Sequence, residues 1–214
     1  MHQPELELPI ADSPRPELSA AELWATAIHE AGHAVVAVYF KIPFTCLYIR
    51  SNGNGGLILD RRKNRMLLES PGRVRYASKL IVTGYSGYIG HRKIIKCEPR
   101  GGVKYDAEHI RDLLWDTTRY ERRLDKSTGC FQRTTEAEAE QIVNRRVRRL
   151  WRVAFHLVRK LFSVIQVVAR ALIERKRLKG AEVVALAGPL IAKERAALVH
   201  GLASGARTMY SLPR

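Results

Sequence analysis

Cysteine is scarce in this chain of 214 residues: Cys46, Cys97 and Cys130 are three in all, widely spaced and with no C-x-x-C pair. Their number and spacing exclude a disulfide framework and a thiolate zinc cluster, and they suit a reducing, cytoplasmic setting. Long apolar runs are missing too. None approaches the roughly 20 residues that a helix needs to cross a bilayer, so no transmembrane segment is expected. No repeat at a solenoid period is visible, and no low-complexity tract interrupts the central region. Acidic residues are outnumbered, with 21 Asp and Glu against 37 Lys and Arg and a formal net charge of +16. Such an excess suits an anionic partner, nucleic acid or an acidic membrane surface, or else a solvated face.

What is present divides into three stretches. Residues 1–18 hold Pro4, Pro9, Pro14 and Pro16 beside Glu5, Glu7 and Asp12. That is the opposite of a basic-then-apolar export signal, and we expect a mobile arm. Residues 19–185 have the alternation of periodic segments and turn signals of one compact domain, and residues 186–214 read as a C-terminal helix and tail.

Within the domain, Ser19 and Glu22 form a capping-box pair, and apolar positions follow at Leu23, Trp24, Ala27, Ile28, Ala31 and Val35. This predicts a helix over Ala20–Phe40, closed by Pro43. Phe44–Ile49 is β-branched and aromatic enough for a strand, the glycine and asparagine of Ser51–Gly56 make a turn, and Leu57–Leu59 returns as the hairpin partner. Arg61–Arg65 reads as a polar basic link. Met66–Ile89 is a second helical region that Pro71 and Gly72 must break or start, and Gly84, Gly87 and Gly90 in it permit close backbone packing. Tyr105–Arg123 is a helix after a Pro and Gly loop, and a further loop covers Lys126–Thr134. Thr135 with Glu138 caps a long periodic segment that runs to about Lys179 and holds one or two helices; a last helix starts near Ala181. The expected architecture is mainly α with a small β hairpin.

The predicted first helix carries His29-Glu30-Ala31-Gly32-His33. Residues four apart on a helix project from one face, so the two imidazoles can share a metal ion. Zinc takes imidazole nitrogen readily and keeps one position open for a water molecule, whose proton Glu30, beside the first ligand, is placed to take. A catalytic zinc needs a third protein ligand. Val36 and Tyr39 stand where a metzincin has its glycine and third histidine, which excludes that arrangement. Glu69 is a candidate poorly set beside Pro71. Asp106, opening a helix after Gly101-Gly102, and His109 on the same face remain as alternatives.

The run from His29 to Val36 resembles the zinc helix of the FtsH-type ATP-dependent metalloproteases, whose signature is H-E-A-G-H-A followed by small and β-branched residues. Leu47-Tyr48-Ile49-Arg50 with Gly53–Leu57 is similar to the strand and glycine turn that follow in that family. Thr83-Gly84-Tyr85-Ser86-Gly87 is loosely similar to its glycine-rich helix, and Ala171–Arg175 with Gly180–Val183 to its closing helices. The resemblance implies a helical peptidase domain, a zinc ion held by His29, His33 and Asp106, and Glu30 as general base. It also implies an edge strand that pairs with an extended peptide, and cleavage of peptide bonds in unfolded segments or peptides. Tyr88-Ile89-Gly90-His91-Arg92 departs from the family pattern, which bears on packing between subunits if the chain forms a homo-oligomer. No G-x-x-x-x-G-K-[ST] loop stands in the sequence. We therefore expect a zinc endopeptidase without its own ATPase, served by a separate ATPase partner where substrates are folded.

A second expectation comes from Arg145, Arg146, Arg148, Arg149, Arg152, Arg159 and Lys160, which crowd a segment whose Val147, Leu150, Trp151, Ala154, Phe155, Val158 and Leu161 follow helical spacing. The segment is a basic amphipathic helix whose apolar face packs into the core or a subunit interface. The competing functional reading is a peptidase-fold module with little or no catalysis that binds nucleic acid or an acidic membrane surface through this helix.

Overall fold

The computed structural model describes residues 18–50, 52–95, 103–119, 122–124, 131–133 and 135–203. Most of the expected N-terminal arm, the Gly101-Gly102 loop, Cys97, Cys130 and the last residues of the tail lie outside these. Among the described residues the fold is mainly helical, with seven helices, a three-stranded antiparallel sheet and one further strand pair.

Helix α1 spans Ala20–Phe40, and the capping box at Ser19 and Glu22 starts it as the sequence predicts. Its residues from Ala27 to Ala37 are all buried. A helix apolar on every side belongs in the middle of a domain. Helix α3 (Arg73–Ile94), α6 (Phe162–Arg175), α7 (Gly180–Ala203) and the sheet surround it. Small residues make that enclosure possible: a Cβ on Gly32 would lie 2.8 Å from the Ser86 carbonyl oxygen of α3, so only glycine lets the two backbones meet there.

Strand β1 (Phe44–Ile49) falls on the predicted residues, and β2 (Gly55–Leu59) returns beside it. The sheet order is β2-β1-β5. Strand β5 (Arg177–Lys179) lay hidden in the long periodic segment; three residues carry almost no strand signal, and pairing with Cys46, Leu47 and Tyr48 of β1 creates it. Consequently β1 is central, and β2 and β5 are the outer strands of the sheet among the described residues, each with an open edge.

Two more differences have local causes. Arg61–Leu68, expected to begin as a link, is helix α2: the Asp60 side chain accepts the Lys63 N–H, and Asn64 is buried with its amide donating to the Pro43 and Asp60 carbonyls. Tyr76 of α3 bonds the same Asn64 from its other side. Helix α4 is Val103–Arg119 and stops short of Arg123, because Arg122–Leu124 pairs with Phe131–Arg133 as strands β3 and β4.

Helix α5 (Glu136–Lys160) begins at the predicted Thr135–Glu138 box and ends at Leu161, where α6 starts. Its inner face buries Ala139, Val143, Leu150, Ala154 and Val158, and Trp151 packs against Tyr85 and Tyr88 of α3. Phe155, expected on that apolar face, points outward and is 45% exposed. Helix α7 runs unbroken through residue 185, with Val183, Ala187 and Ile191 in the core, so the expected boundary there falls inside one element. No helix among the described residues is long and apolar enough to cross a membrane.

Candidate metal centre

Helix α1 presents His29 and His33 one turn apart, toward the start of α4. There Asp106, in the first turn, turns its carboxylate onto both rings. Asp106 Oδ2 lies 3.2 Å from His29 Nε2 and 3.2 Å from His33 Nε2, and the two Nε2 atoms are 3.0 Å apart. The three form a near-equilateral triangle. Bonds of about 2.0 Å in tetrahedral geometry would set ligand atoms about 3.3 Å apart, so the triangle matches one face of such a site and leaves the fourth corner free.

Tautomer chemistry points the same way. His33 Nδ1 is 2.8 Å from the Thr83 carbonyl, which can only accept, so Nδ1 donates and the neutral ring turns its Nε2 lone pair to the triangle. His29 and His33 are both buried. Acceptor atoms converging in a dry place are favourable only around a cation, and the group His29, His33 and Asp106 could hold a metal ion.

Without metal a proton takes that role. Burial pulls His33 down, but the Asp106 charge and hydrogen bond, with Glu30 and the Thr83 carbonyl, outweigh it and raise His33 to about 9. His29 goes the other way, to about 4, chiefly through burial and then the charge on His33, against its bond to Asp106. Burial also raises Asp106, yet the neighbouring imidazoles prevail and hold its carboxyl below the usual range. Glu30, next along α1, is pushed up to about 7 by burial, against the pull of His33.

Two glycines give the site room. A Cβ on Gly87 of α3 would sit 2.3 Å from His33 Nε2, and one on Gly55 of β2 would sit 2.7 Å from Glu30 Cγ. The edge strand therefore runs directly past the candidate base.

Of the sequence candidates, His29, Glu30, His33 and Asp106 come together. Glu69 does not: it is the C-cap of α2, ion-paired to Arg65 on the surface. His109 is exposed, one turn beyond Asp106, and lies outside the group. Sequence reasoning missed the Thr83 carbonyl, which carries no side-chain signal. It also missed His91, which is buried with its ring centroid 6.2 Å from that of His29. Both His29 Nδ1 and His91 Nδ1 are buried without a hydrogen-bond partner. His33 is thus anchored from behind by a hydrogen bond, whereas the Nδ1 side of His29 is held by packing.

No model of a known protein family matches the chain, and no curated protein matches it.

Proposed function

We propose that the chain is a zinc-dependent endopeptidase of the FtsH type, acting on peptides or unfolded segments. The observation that carries this reading is the triangle of His29, His33 and Asp106 with Glu30 beside it. Two imidazoles and one carboxylate, with one corner open, are a donor set suited to catalytic zinc.

A zinc ion bound there supplies Lewis-acid polarisation of the scissile carbonyl and lowers the pKa of water. The rest falls to the protein. Glu30, placed by burial near neutrality, takes the proton from the attacking water as its oxygen bonds to the carbonyl carbon. It then passes that proton to the amine as the C–N bond breaks, which leaves a carboxylic acid and a free amine with no covalent enzyme species. The open edge of β2 can receive an extended chain by strand addition and bring a peptide bond past Glu30, with Gly55 keeping the approach clear. An extended backbone is what that edge accepts, which is why unfolded segments rather than folded domains are the substrate class. Hydrolysis needs no ATP.

The test is elemental analysis and casein cleavage, with and without chelator, on wild type and His33→Ala. About one zinc per chain and chelator-sensitive cleavage, both lost in the variant, are expected. Wild-type protein without zinc, purified and tested under metal-replete conditions, would overturn the reading.

A further inference from the structure

The outer face of α5 is strongly basic. Arg145, Arg148, Arg149, Arg152 and Arg159 are all exposed on it. At 100° per residue they fall, with Phe155 and His156, on a stripe about 120° wide and about 21 Å long. No Asp or Glu occurs from Gln141 to Ile173, and none of these five arginines has a carboxylate partner among the described residues. The other cations of the segment turn away. Arg146 donates to the Thr117 and Thr118 hydroxyls of α4, and Lys160 lies toward Glu194 of α7.

A face kept only for solubility interleaves charges of both signs, as α4 does with Glu108, Arg111, Asp112 and Asp116. Here Arg145–Arg148, Arg145–Arg149, Arg148–Arg152 and Arg149–Arg152 are like-charge neighbours at three or four residues, each of which destabilises a helix. An anionic ligand relieves that repulsion.

We propose that this stripe is a docking surface for single-stranded nucleic acid. Three features favour that partner over an acidic bilayer. The cations are all arginine, whose planar fork binds phosphate oxygens two at a time. Phe155, 45% exposed and edge-on to His156 at 5.7 Å, stands among them as a stacking surface for an unpaired base. Finally, the apolar face of α5 is committed to the core through Leu150, Trp151, Ala154 and Val158, so it cannot roll over and bury itself among lipid chains. The proposal does not depend on the metal centre.

Fluorescence anisotropy with labelled 20-nucleotide RNA and DNA single strands, across a salt series, tests it on the full chain. Five phosphate contacts predict a slope of log K against log salt near −3.5, and Arg148→Gln/Arg149→Gln/Arg152→Gln should flatten it by about 2. Phe155→Ala should weaken single strands about tenfold and a duplex of the same length much less. The control Arg61→Gln/Arg62→Gln/Arg170→Gln removes the same charge elsewhere and should change little. Equal loss in the control and stripe variants would overturn the proposal, as would binding only to phosphatidylserine vesicles.

Discussion

The buried end of α1 and the outer face of α5 both concentrate charged or ionisable side chains, and they handle them in opposite ways. Around His29, Glu30, His33 and Asp106 the charges face counterparts within the protein, and burial sets the protonation of His29 and Glu30 while the mutual attraction of His33 and Asp106 sets theirs. Along α5, like charges stand side by side in water with no carboxylate counterpart among the described residues. One small ion could complete the first arrangement, whereas only a large anion from outside the molecule could span the second. Chemistry at the first depends on sub-ångström placement, whereas the second tolerates displacement and responds to salt.

The largest effect should come from Glu30→Gln, which keeps the triangle while removing the base: turnover is expected to fall by about 10²–10⁴ with zinc content unchanged, as turnover and elemental analysis would show. Loss of zinc along with activity would mean that Glu30 holds metal instead. Gly87→Ala comes next. Its methyl would overlap His33 Nε2, so we expect about 10–100-fold weaker zinc binding in a chelator competition, comparable to losing an outer-shell partner. Unchanged affinity would show that the ring can shift at no cost.

The pH response is of comparable size. His33 raised to about 9 means that an imidazolium competes with metal below that pH. Apparent zinc affinity should therefore climb by up to about tenfold per unit as pH rises from 7 and level off near 9, measured by competition titration. A flat profile would place the proton elsewhere. On α5 the expected change is slight and of opposite sign. Arg148→Glu sets a carboxylate beside Arg145 and Arg152, and melting should rise by about 1 °C at low salt and not at 1 M. A fall would mean that Arg148 has a stabilising role.

Much of this contrast was legible in the sequence. The helix of residues 20–40 was fixed by its capping box and small-residue spacing, and H-E-x-x-H put His29, Glu30 and His33 together because the helical period alone does so. Asp106 was different: it shares no element with α1, and spacing left Glu69 and His109 in contention until a family resemblance favoured it. The packing of α4 onto α3, which carries the Asp106 carboxylate to the histidines, is a tertiary fact with no local signature. The same holds for β5, which exists through its pairing with β1, and for the Thr83 carbonyl behind His33. Phe155 was misplaced because a one-residue shift in phase on a helix turns a side chain by about 100° and carries it from the core to water.

The enclosure of α1 also governs how the protein comes apart. The amides of Ala27–Ala37 are screened by α3, α6, α7 and the sheet together, so they cannot meet solvent unless those neighbours separate. Hydrogen exchange along Ala27–Ala37 should then proceed at the rate of global opening, the slowest in the molecule. An ion seated on His29 and His33 would be locked to that same event on one side and to the motion of α4 on the other. Asp106, the member of the group on α4, would then be the ligand that can move without unpacking α1.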